Sequence, residues 1–451
     1  MTAQDRSMLI KAALTPAREV RAPLDLAGEI RLAVGATPQR RPALGGRVGA
    51  GLGAPWLPGV APRLAWAVVV VALALAALVA LAVASRLNPA PSNDILSYHG
   101  NPAQTGVVPG PAPVEPVSTA WQKDLNGSVT ALQMPLVYAG TVYQLDGHGT
   151  LTAFDEATGG VLWHGSGFGT AGGSPVIAGG LIVAAGSTGT VVAFDATTGQ
   201  QRWRREIGAP TLAPLAASGE RIFVGSEDGT VHILDRASGT QTGSPLAAGG
   251  PVERSPAIAD GVAYVAAFGG HLTAFDVETG VQRWRAELGD GEIATPAVAD
   301  GTVYVAWGAP AGTAPYEVVA VDAATGTERW RWATPDHHRL FLGAVTDATV
   351  YAVSEDGNVY AIDIATHAGR LFFATGGPIE SPATIVDGQL FVSSGDRTVY
   401  ALDLTTGTAR WTMPVTGIPF TPAVSGGRVF VGTDLGKLVA IGGGGGMPAS
   451  P

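Results

Sequence analysis

The chain has 451 residues, carries a net charge of −10 and contains no cysteine. Without cysteine it has neither disulfides nor thiolate metal ligands, so its fold must bury its own core. The acidic balance argues against nucleic acid as a partner, and 63 glycines with 32 prolines mark a chain full of turns.

Residues 1–63 read as a cytoplasmic, largely disordered segment, with 35–62 rich in Gly, Pro and Arg. Within it, residues 23–34 carry a short helical pattern. Leu26, Ile30 and Val34 share one face, and Pro23 suits a helix start. Leu64 to Ala84 follows, 21 residues without a charge. At ~1.5 Å per residue this length crosses a hydrocarbon core of ~30 Å, which predicts a single transmembrane helix over 64–84. Ala82-Val-Ala84 also fits a small-residue cleavage site. Residues 1–63 hold nine Lys and Arg against four Asp and Glu, whereas residues 87–451 hold 17 against 33. That bias keeps the N-terminus cytoplasmic and sends the remainder outward. Residues 85–116, rich in Pro, Gly, Ser and Asn, read as an extracytoplasmic tether.

From Leu151 a phrase recurs: apolar-x-apolar-apolar-Asp-x-x-Thr-Gly-x-x-x-Trp. Its aspartates are Asp155, Asp195, Asp235, Asp276, Asp322, Asp363 and Asp403, separated by 40, 40, 41, 46, 41 and 40 residues. A period of that size, carried by strand-type residues, predicts a radial array of small sheets. Each unit reads as four strands: inner, second, third and outer. The Asp accepts from the loop backbone, the Thr hydroxyl closes the loop, and Gly159 or its equivalent ends it. Asp260-Gly261, Asp300-Gly301 and Asp387-Gly388 signal tight turns between strands. Trp163, Trp203, Trp284, Trp330 and Trp411 offer flat faces to bury between neighbouring sheets. Two repeats depart. The third has Ser238 and Gly243 in place of Thr and Trp, and the sixth has His367 and Leu371 in place of Gly and Trp. These departures weaken blade packing, or mark a face that touches something else; tolerated drift is the plainer reading.

Residues 437–441 read as an eighth third strand that has no fourth. Thr119 to Leu125, bearing Trp121, reads as an outer strand that has no blade. Docking one beside the other closes the ring. The prediction is an all-β protein: an eight-bladed propeller of four-stranded blades over residues 117–442, with N- and C-terminal strands sharing the closing blade. Residues 443–451 read as a disordered tail.

The recurring phrase resembles the pyrroloquinoline-quinone-like propeller repeat, the family of quinoprotein dehydrogenase propellers and of the outer-membrane β-barrel assembly lipoprotein. The resemblance covers roughly residues 95–442. It includes Ser97-Tyr-His-Gly-Asn-Pro-Ala-Gln-Thr-Gly106, which is similar to a short segment that often precedes such propellers. What it implies is the fold; it does not by itself imply the quinone. Dehydrogenases of the family are longer, many carry an adjacent cysteine pair, and they hold calcium with a Glu, an Asn and an Asp. No such set is legible here. No catalytic residue, metal ligand or cofactor is expected.

The repeated aspartates and tryptophans read as scaffold. Binding residues are expected in the loops leading into the inner strands: Glu253, Arg254, Glu292, His337, His338, Arg339 and Glu380. The turns between second and third strands open on the same face and supply His148, Glu227, Asp228, His271, Glu355, Asp356, Asp396 and Asp434. The loop from Trp307 to Tyr316 is the longest there and accounts for the 46-residue interval. The adjacent His337 and His338 would point apart on a strand, so they are not expected to hold a metal. The functional expectation is a membrane-anchored extracytoplasmic propeller that binds a protein or cell-envelope ligand as scaffold or sensor. One alternative is a quinone-dependent dehydrogenase. Another is transmembrane signalling through residues 1–63, a layout similar to that of membrane anti-sigma regulators.

Overall fold

The computed structural model describes residues 95–309, 315–335 and 337–443. The expected span at 64–84, the short helix at 23–34 and the tail from 444 onward lie outside the described residues. Among the described residues no helix is long and apolar enough to cross a membrane.

The described residues form eight antiparallel sheets, one per blade. Blade one runs outward from Leu136–Tyr138 through Thr141–Leu145 and Leu151–Asp155 to Val161–Gly165. The inner strands touch one another in circular order, and the last, Ala423–Ser425, meets the first, Leu136–Tyr138. The ring is therefore closed. Its closing blade takes Ala423–Ser425, Arg428–Gly432 and Lys437–Gly443 from the C-terminal end and Val117–Asp124 from the N-terminal end. Trp121 pairs with Ala440, as Trp163 pairs with Ala153 in blade one. Eight blades with shared closure are thus as expected, and no outer edge is left at the seam.

The tight turns also follow the sequence. Asp260 and Gly261 both take positive φ (49° and 73°), the geometry of a two-residue hairpin turn whose twist matches its strands. Each Asp of the phrase holds its loop as expected. In blade two, Asp195 Oδ1 accepts from the Thr198 backbone N–H at 2.9 Å and from its hydroxyl at 3.0 Å. Arg202 in the same hairpin donates to the other oxygen at 2.8 Å. These bonds hold the Asp195 carboxyl down at about 2.

The tryptophans join one blade to the next. Trp203 lies over Gly239 in the loop of blade three, where an added Cβ would meet the indole at 2.5 Å. Its Nε1–H donates to the Arg236 carbonyl at 2.8 Å. Trp121, Trp163 and Trp284 repeat this with Glu156, Ala196 and Ala323. The spacing from Asp to Trp therefore links two loops across a blade junction. The hydrophobic core follows the same logic, divided into clusters that each span neighbouring blades.

The two irregular repeats behave differently. In blade six the strand bulge moves by two positions and falls on Phe372, so Leu371 is exposed and Phe372, one residue on, is buried in the place of the missing Trp. Phe372 contacts Tyr351 edge-on, and Gly407 of the next loop lies against it. His367 of blade six stacks on Trp330 at 5.1 Å, so the departure from Gly adds a ring contact. Packing here is repaired rather than weakened. Blade three is not repaired: its outer strand shrinks to Leu246–Ala247, and a cavity opens beside Gly243.

The expected tether needs a correction from residue 95 onward. Residues 95–108 run along the inner strands, inside the ring. Carbonyls of Leu96, Pro102, Ala103, Thr105 and Gly106 accept from the N–H groups of Ile177, Ile258, Val298, Val345 and Ile385 at 2.7 to 2.9 Å. Ile95 pairs with Val137 in blade one. An inner strand has one unpaired edge facing the channel, and its buried N–H groups need acceptors. The segment supplies them to six blades. Its Pro, Gly and Asn content marks irregular backbone, which composition cannot distinguish from free chain.

Candidate binding site at the channel mouth

The segment closes the channel from one side and leaves a cup on the other. Tyr98 and His99 are its floor, both buried. Its wall includes Arg254, Thr295, Arg339, Glu355 and Glu380, which come from loops and turns of four different blades. The cavity measures about 370 Å³, within the ordinary range for ligand pockets.

Three of the expected loop residues are brought into direct contact. Glu292 Oε1 accepts from both Arg254 and Arg339, joining the loops that lead into blades four, five and six. Arg339 also lies 3.9 Å from Glu355 and sits over the Phe341 ring at 5.1 Å. Glu292 is fixed by an unexpected strand. Glu292–Ile293 pairs with Gly308 and Trp307 on the extended second strand of blade five. The 46-residue interval therefore builds a five-stranded sheet that holds this carboxylate; residues 310–314 lie outside the described residues.

Charge is crowded around this chain. Glu253 is half-buried beside Arg254, and desolvation raises its carboxyl above the usual range despite that neighbour. Desolvation likewise raises Glu355, with Arg339 opposing and Glu380 and Glu292 adding to it. Burial pushes the Tyr98 hydroxyl up to about 12. Burial lowers His99, leaving a neutral ring whose Nε2–H donates to the Gly343 carbonyl at 2.6 Å.

The remaining expected residues divide. Glu380 lines the cup and is exposed. His337 and His338 are exposed on the loop into blade six; His338 acts on the charge of Glu355. The turn residues are held by their own turns or by neighbouring loops and strands. Asp228 caps Thr230, Asp356 caps Asn358, and Asp434 accepts from the Ile418 N–H. Asp396 accepts from the Tyr400 hydroxyl and the Gly376 N–H, while His148 meets the Asn126 carbonyl and His271 pairs with Glu287. Sequence reasoning missed the floor. The signal was present in Ser97–Gly106, but nothing in its composition said that it turned into the channel.

The model of the family described as outer membrane protein assembly factor BamB matches residues 117–244, 187–331 and 314–447. BamB of Shewanella oneidensis is 31% identical over 180 residues, which cover 37% of this chain and 44% of that protein. The chain thus spans less than half the length of the curated relatives it matches. The crystal structure of BamB from Moraxella catarrhalis superposes with a TM-score of 0.59 at 20% identity, covering 74% of this chain and 99% of that one. Quinohemoprotein alcohol dehydrogenase from Comamonas testosteroni gives 0.64 at 12% identity, covering 81% and 83%. At such identities the two structures speak for the fold alone. With the eight-bladed ring, the docked tryptophans and a family match over most of its length, the chain belongs to the pyrroloquinoline-quinone-like propeller family and is similar to BamB.

Proposed function

We propose that the chain is a membrane-anchored extracytoplasmic scaffold that binds a protein partner at the mouth of its channel. The observation that carries this reading is the cup itself. Side chains from four blades, charged ones from three of them, converge there on a closed ring, and residues 95–108 form its base. Glu292 with its two arginines presents a fixed charge pattern of the kind that sets orientation and specificity in a protein interface. The relatives named as assembly factors support a binding role. The apolar stretch at 64–84 and the basic residues before it support anchoring with the N-terminus inside.

The quinone reading fits the residues less well. Tyr98 and His99 line the cup, and the neighbouring Arg254 and Arg339 are already paired with Glu292. Among the described residues no group of three or more His, Asp or Glu side chains gathers to hold a metal ion. No catalytic step is therefore derived through a quinone.

The test is chemical crosslinking of the full chain in its native membrane, with Arg339→Glu as comparison. A discrete protein adduct that the charge reversal abolishes is expected. An adduct indifferent to that change, together with a rise in melting temperature on adding pyrroloquinoline quinone and calcium, would favour the dehydrogenase instead.

A further inference from the structure

At four of the eight junctions, those holding Trp121, Trp163, Trp203 and Trp284, the slot shows what it accepts. An indole lies over the loop glycine of the next blade, opposite an alanine on its own third strand. Trp163, Trp203, Trp284 and Trp330 face Ala153, Ala193, Ala274 and Ala320. The junction of blades three and four has the slot without the ring. Gly243 stands where the Trp would be, and an added Cβ there meets nothing within 4 Å. Ile233 replaces the alanine and is buried. Leu246 reaches only the edge of the receiving Gly280, at 3.4 Å. Arg221 takes the carbonyl that an indole N–H would use, donating to Val277 at 2.7 Å. These substitutions leave a cavity of about 370 Å³, lined by Arg221, Ile233, Pro245, Glu278 and Gly280.

We infer that this cleft is a second binding site, which takes the aromatic side chain of a tryptophan presented by a partner protein. The other junctions serve as internal templates: the same loop, with the same glycine, receives an indole elsewhere in the ring. A partner is inferred because the tryptophans of the described residues are already engaged; Trp56 and Trp66 lie outside the described residues. Trp121, Trp163, Trp203, Trp284 and Trp411 are buried at or below 8% exposure or held in their junctions, and Trp330 stacks on His367. Trp307 donates to the Gly289 carbonyl, and Trp332 packs on Tyr360. The exposed carboxylate of Glu278, paired with Arg221, and the open Gly243–Pro245 loop give the flanking residues of such a partner polar contacts. This site lies at the hairpin-loop end of the blades and does not depend on what occupies the channel mouth.

The test uses 5-fluoroindole and the full chain, followed by fluorine NMR. Saturable binding to the wild type is expected, and Ser244→Trp, which places a ring in the cleft, removes it. Should that variant fail to fold, Ile233→Ala decides. It restores the alanine of the other junctions, so several-fold tighter binding supports the site and unchanged affinity overturns it. Absence of saturable binding to the wild type also overturns it. Sedimentation of the wild type supplies the last check: a monomer fits a partner's tryptophan. Self-association abolished by Ser244→Trp would mean that a second copy fills the cleft, against the inference.

Discussion

The carboxylates at the rim of the ring and those at its mouth are held in different ways. At the rim, the Asp195 carboxylate takes all its partners from its own hairpin, from Thr197, Thr198 and Arg202. At the mouth, Glu292 takes its partners from the loops of two other blades. The first arrangement needs only local sequence, so it can be repeated around the ring. The second needs the closed ring, so it occurs once. Repetition therefore marks what builds the blades, and the unrepeated residues mark where this propeller is individual.

The largest expected effect breaks the rim. Trp203→Ala removes a buried indole and its bond to Arg236, and should cost about 3–5 kcal/mol of unfolding free energy. Chemical denaturation measures it. The Trp-less junction of blades three and four gives the contrast: Leu246→Ala there removes a smaller side chain and should cost about 2–3 kcal/mol.

At the mouth, Glu292→Gln leaves Arg254 and Arg339 without their shared carboxylate. Both arginines are partly solvated, at 14% and 31% exposure, so the expected loss is about 1–2 kcal/mol rather than that of a fully buried pair. Its loss of partner binding should exceed its loss of stability. A variant that loses stability but retains binding would make the charge chain a brace for the ring and nothing more.

The floor gives a pH signature. His99 is neutral in the folded chain because burial lowers it from the ordinary value of 6.5. The unfolded chain therefore takes up the proton first as pH falls, and stability drops below about pH 6.5. His99→Gln should flatten that slope in melting temperature. The rim gives the smallest effect and the opposite kind of group. Asp195, held at about 2 against an ordinary 3.8, contributes fully above pH 3.8 and loses its contribution as pH falls towards 2. The carboxylate is partly solvated and Arg202 is exposed, so Arg202→Gln should shift the acid transition only slightly.

The rim was legible in the sequence because its interactions are local and periodic. The Asp-to-Trp spacing gave the blades, and the unmatched strand at Trp121 gave the closure. The mouth was legible only as a set of loops. That Arg254, Glu292 and Arg339 would meet followed from the ring, but their pairing depended on the extra strand at Glu292–Ile293, whose two residues carry no strand signal. Tyr98 and His99 escaped because an irregular segment whose carbonyls accept from six strands has no periodicity to read. Phe372 escaped because a two-residue shift of a bulge moves the buried position by one without changing composition.

The most direct test of the account compares mouth and rim in one experiment. A photo-crosslinking residue is placed at Glu380, beside the cup, and in a second protein at Thr406, on a rim loop. Both full chains are irradiated in the native membrane. The account predicts one discrete protein adduct from position 380, lost with Glu292→Gln, and none from 406. An adduct from 406 with none from 380 would contradict it and move the working face of the propeller to the rim.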